Sequence, residues 1–65
     1  MIITVNKKHV ELAETTVVAN LIKKLNYHGT VAVFINGNQL LLSQYSDYML
    51  SEGDKVIIIK PLGGG

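Results

Sequence analysis

In one stretch of this chain, ETTVVANLIKKLNYHG, apolar residues recur at a helical spacing; before it they alternate, and after it comes an unbroken apolar run. Val18, Leu21, Ile22 and Leu25 fall at i, i+3, i+4 and i+7, a single helical stripe. A Thr15 or Thr16 hydroxyl can cap the first amides. Lys23 and Lys24 suit the negative end of the helix dipole, and Asn26 or Gly29 can take the left-handed conformation that ends a helix. The spacing predicts a helix of about nine to eleven residues lying across a sheet. No second helix is available, so only one face of that sheet can be covered.

The flanks supply the sheet. MIITVNKKHVELA reads as a hairpin, with Ile3, Val5, Val10 and Leu12 inward and the turn at Asn6-Lys7-Lys8. TVAVFIN is apolar from Val31 to Ile35, as in a strand with both faces covered. Asn36-Gly37 signals a tight turn into a short return strand, NQLLL. SQYSDYML has no clean period and reads as an irregular turn with a short 3₁₀ or helical piece. Glu52-Gly53-Asp54 marks a further turn, with Glu52 and Asp54 read as solvated. KVIIIK is the last strand, and Pro61 ends it by removing a ladder donor.

One helix and one mixed sheet make a two-layer α+β domain. Pairing the last strand parallel to the first would centre the sheet on those two. This is the β-grasp arrangement: four or five strands with one helix packed on one face. Nothing repeats internally and no linker divides the chain. Residues 1–60 therefore read as one domain and residues 61–65 as a flexible C-terminal glycine tail.

Composition narrows the means of stability and the partners. With 65 residues the chain buries only about 60% of the surface its unfolded form exposes. It has no cysteine, so disulfides, thiolate metal sites and a cysteine nucleophile are excluded. Apolar packing must suffice, and 48% hydrophobic content supplies it. A net charge of +1, with six lysines and no arginine, gives no footprint for nucleic acid. No apolar run approaches the ~18 residues of a membrane span. Thr4 and Asn6 interrupt what a signal peptide would need. The expectation is a cytoplasmic protein with neither nucleic acid nor membrane as partner.

Alternation also leaves apolar surface over. If Val33, Ile35, Val56 and Ile58 face the helix, then Ala32, Phe34, Ile57 and Ile59 face away, where nothing covers them unless SQYSDYML folds back. A contiguous apolar patch of this kind marks a partner surface.

Chemistry of the chain's own is missing. There is no phosphate-binding G-x-x-x-x-G-K loop and no G-x-G-x-x-G between strand and helix. His9 and His28 lack companions at ligand spacing and read as surface residues. Ser43, Ser46 and Ser51 lack a nucleophile context. Tyr27, Tyr45 and Tyr48 read as packing over core edges. What remains is the carboxylate of Gly65, at the end of Gly63-Gly64-Gly65, which has no side chain to obstruct a narrow channel.

The ordered blocks Thr16-Val17, Leu21-Ile22 and Leu25; Val31-Ala32-Val33, Asn36-Gly37 and Leu40; Leu50, Gly53-Asp54, Val56 and Ile58-Ile59; and the terminal Gly64-Gly65 resemble the ubiquitin-like sulfur carriers. The resemblance covers essentially the whole chain. It is strongest to the thiamine-biosynthesis branch, in which Tyr45 matches a common aromatic position. LLLSQY lacks the Pro-Arg pair frequent before that position. The molybdopterin carriers, whose chains are usually longer, are the nearest rival.

The resemblance implies a carrier, not an enzyme. It implies no cofactor bound by the chain, with ATP used by an adenylating partner of the ubiquitin-activating type. The Gly65 carboxylate would be adenylated, and a persulfide sulfur donor would convert it to a thiocarboxylate. Thiazole synthase would then take the sulfur. Leu62, Gly63 and Gly64 would thread the partner's active site, and Ala32, Phe34, Ile57 and Ile59 would form the docking face. A β-grasp interaction module with a passive tail, and a modifier conjugated to lysines, are the alternatives from other classes.

Overall fold

A computed structural model describes residues 1–61; the expectations for Leu62, Gly63, Gly64 and Gly65 lie outside the described residues. The elements are β1 (Ile2–Val5), β2 (Lys8–Glu11), α1 (Val18–Lys24), β3 (Ala32–Ile35), β4 (Asn38–Gln39), a 3₁₀ turn at Leu42–Gln44, and β5 (Lys55–Ile59). The sheet order is β2-β1-β5-β3-β4, with β1 and β5 parallel and the other pairs antiparallel. This is the expected β-grasp arrangement, a mixed sheet of five strands carrying one helix.

Alternation sets the core. Ile3, Val5, Val33, Ile35, Val56 and Ile58 are buried with Val18 and Leu21 of α1, while Ile22 and Leu25 pack partly against them. Opposite Ile3 stands Val10, and the chain beyond β2 buries Leu12. The β1–β2 turn is tight: Val5 pairs with Lys8, and Asn6 (φ 49) and Lys7 (φ 72) both take left-handed backbone.

The helix is shorter than its spacing predicts, seven residues. Its last turn carries Lys23 and Lys24, and Asn26 (φ 62) and Gly29 (φ 79) follow in the left-handed region. Its N-terminus departs from expectation. No side chain caps it, and the Thr16 hydroxyl donates to the Ala13 carbonyl at 2.8 Å instead. The Val18 and Ala19 amides donate to the Tyr48 and Tyr45 carbonyls at 3.0 and 2.8 Å. The segment without a clean period is therefore the cap of the helix, delivered from across the fold. It also buries Tyr45, whose hydroxyl donates to the Val31 carbonyl at 2.7 Å, and Leu50. It sits at the helix end and leaves the far face of the sheet open.

Candidate functional site: the open sheet face and the root of the tail

β3 and β5 pair antiparallel with Ala32 opposite Ile59 and Phe34 opposite Ile57. Directly opposed residues share a face, so these four side chains form one block. Ala32, Phe34 and Ile57 are half-buried by one another, and Ile59 is 50% exposed. The four residues expected to dock a partner are thus brought together. The block stands at the end of the sheet from which Lys60 and Pro61 leave β5. Toward the other end the same face turns polar, with Lys55 beside Thr4 and Thr4 opposite His9.

Two asparagine side chains hold β5 in place behind this face. Asn6 Oδ1 accepts from the Ile58 amide at 2.9 Å, and its Nδ2 donates to the Ile58 carbonyl at 3.2 Å. Asn36 Oδ1 accepts from the Lys55 amide at 2.9 Å, and its Nδ2 donates to Asp54 Oδ1 at 3.0 Å. Asp54 is buried, and its other oxygen accepts from the Ser51 amide at 2.8 Å. This corrects its reading as a solvated turn residue: the carboxylate is the hub of the turn that launches β5. Glu52 is exposed but also bonded, its Oε1 accepting from the Ile2 amide at 2.9 Å.

A second apolar feature borders the root of the tail. Leu41 and Leu42, read from sequence as part of a return strand, lie beyond it and are 65% and 63% exposed. With Ala32, Tyr45 and Pro61 they line a shallow groove. The signal was the run Leu40-Leu41-Leu42, of which only Leu40 is buried; it continues the ladder by donating to the Val33 carbonyl. Gln44 holds the run in this turn, its side-chain oxygen accepting from the Leu41 amide at 2.9 Å.

Among the described residues no group of three or more His, Asp or Glu could hold a metal ion, and no helix is long and apolar enough to cross a membrane. His9 and His28 are both exposed, on β2 and after α1. Among the described residues the arrangement offers an apolar surface that leads to Lys60 and Pro61.

The comparisons with known proteins agree with this geometry. A model of the ThiS family matches residues 2–65. A crystal structure of a thiamine biosynthesis protein (ThiS) from Geobacter metallireducens is 30% identical, with a TM-score of 0.84 and 100% of both chains covered. A solution structure of a thiamine biosynthesis protein from the same organism is 32% identical, with a TM-score of 0.82, covering 100% of this chain and 88% of that one. No curated protein matches the chain.

Proposed function

The chain belongs to the ThiS family, and from that membership we propose that it carries sulfur for thiamine biosynthesis on its own C-terminus. The observation that carries the reading is the placement of an open apolar block, Ala32, Phe34, Ile57 and Ile59, beside the point where β5 gives way to the tail sequence Pro61-Leu62-Gly63-Gly64-Gly65. A partner that grips the block receives the chain end with it. Glycines contribute no side chains to the path, so the fit depends on channel width alone.

The chemistry follows from the one reactive group. The Gly65 carboxylate attacks the α-phosphorus of ATP in an adenylating enzyme of the ubiquitin-activating type and expels pyrophosphate. The product is a mixed anhydride whose leaving group is AMP. The terminal sulfur of a persulfide displaces AMP. Cleavage of the resulting acyl disulfide by a thiol leaves the thiocarboxylate and a disulfide. Thiazole synthase then receives the sulfur, and the carboxylate is regenerated. Without cysteine, the chain has no thiol to carry transferable sulfur, and the terminus takes that role. A supply of ATP and thiols places the cycle in the cytoplasm.

Intact mass measurement tests the reading. After incubation with ATP, the adenylating enzyme and a persulfide donor, the chain should gain the mass difference of one sulfur for one oxygen. Deleting Gly65 should abolish the gain. An unchanged mass in the full-length chain would overturn the proposal.

A further inference from the structure

The net charge of +1 conceals a separation of charge that the topology creates. β1 runs from Ile2 to the Asn6-Lys7 turn, and β5 runs parallel to it toward Lys60. Lys7, Lys8 and Lys60 therefore share one end of the sheet. The helix ends there too, because Leu25 and Tyr27 line a groove with Val5, Asn6 and Lys8. Lys23 and Lys24, in its last turn, complete the set. All five are exposed.

The carboxylates gather at the opposite end. Glu11 stands opposite Ile2, and Glu52 binds the Ile2 amide. Glu14 lies 3.8 Å from the N-terminal ammonium, and the Asp54 carbonyl accepts from the Thr4 amide. Asp47 belongs to the segment that caps the start of α1. Among the described residues no lysine lies within ion-pair distance of a carboxylate.

Folding accounts for part of the basic end. Lys23 and Lys24 complement the helix dipole, and Lys8 guards an edge strand. Lys60 has neither role. Lys7 is positively disfavoured: at φ 72 it occupies the turn position where glycine fits without steric conflict. A charged side chain kept in a strained conformation, where the turn favours glycine, points to work outside the fold.

We infer that the tail end of the domain is a basic docking pole for an acidic protein surface, one whose acidic side chains lie to one side of an apolar area that meets Phe34, Ile57 and Ile59. Charge complementarity names the partner's chemistry. The apolar block adjoining the lysines and the lack of arginine favour a protein over a nucleic acid. The pole turns the carrier so that its tail end leads, and it acts on the rate of encounter more than on the lifetime of the complex. The inference rests on the carrier reading only for which protein supplies the acidic surface.

Stopped-flow association with the adenylating enzyme tests it. Lys7→Glu combined with Lys60→Glu should slow association about tenfold or more at low salt, and the difference should vanish near 0.5 M salt. Lys55→Glu, at the other end, should stay within about twofold of the parent rate. Lys7→Gly should raise the unfolding midpoint while slowing association, which separates the charge from the fold. Equal rates for all variants in a chain that still gains sulfur would overturn the pole and leave the carrier reading intact. If the chain gains no sulfur, a backbone NMR titration with a poly-glutamate peptide decides. Shifts confined to residues 6–8, 23–26 and 60 support the pole; shifts spread over both ends overturn it. A single-stranded DNA oligonucleotide that binds the same residues more tightly than the peptide overturns the protein partner.

Discussion

Asn6 and Asn36 solve one problem at opposite ends of β5. Each lies just where its own strand curls into a turn, at φ 49 and φ 50; its backbone amide still donates to β5, to the Val56 and Lys55 carbonyls, but the β5 amide that would meet its carbonyl meets its side chain instead. The side-chain amide then stands in for that carbonyl, because it offers the same acceptor. Asparagine is also the non-glycine residue that best tolerates left-handed backbone. Asn6→Gly keeps the turn and removes the bonds to Ile58, so it should lower stability by about 1–3 kcal/mol in urea unfolding. Lowered stability with Asn6→Gly but not with Asn6→Ala would contradict the account. Tyr45→Phe should cost about 1–2 kcal/mol, because the buried Val31 carbonyl loses its hydroxyl donor.

At the scale of the element, the run Ile57-Ile58-Ile59 shows how one residue type serves two purposes. Ile58 is buried against the helix side, while Ile59 is half exposed on the open face. Ile58→Ala should cost about 2–5 kcal/mol, and Ile59→Ala no more than about 0.5 kcal/mol. The second variant should instead weaken binding to the adenylating enzyme. Equal losses of stability would mean that the face is not open in solution. The helix supplies the complementary case. Its first amides are satisfied by Tyr45 and Tyr48 carbonyls, so Thr16→Ala should change stability by at most about 0.5 kcal/mol. A typical hydroxyl cap would cost about 1 kcal/mol on removal.

At the scale of the molecule, the parallel β1–β5 pair brings the first and last strands to the middle of the sheet. Everything that leaves β5 therefore starts from the best-held part of the fold, beside the open block and the basic pole. Removal of Gly63 to Gly65 should leave the thermal midpoint within about 2 °C, because the core found among the described residues ends at Ile58. The same truncation should abolish formation of the thiocarboxylate. A large drop in midpoint would show that the tail serves the fold, and would argue against its role as a delivered substrate.

Local pattern determined a good deal of this protein. Period-two alternation separated Val33, Ile35, Val56 and Ile58 from Ala32, Phe34, Ile57 and Ile59, because a pleated strand sends neighbours to opposite faces whatever lies beyond. The single stripe at Val18, Leu21, Ile22 and Leu25 fixed one helix, and with it one uncovered face. The left-handed sites at Asn26, Gly29 and Gly37 were legible for the same reason: they depend on the residue's own backbone freedom. Other features depended on residues far apart in sequence. The helix cap comes from Tyr45 and Tyr48, Asp54 is buried by its bonds to Ser51 and Asn36, and Asn6 reaches Ile58. The gathering of five lysines at the tail end is likewise a product of topology. Alternation and helical spacing record how a residue faces its neighbours in the chain; hydrogen-bond partners and charge distribution are set by which segments the fold brings side by side.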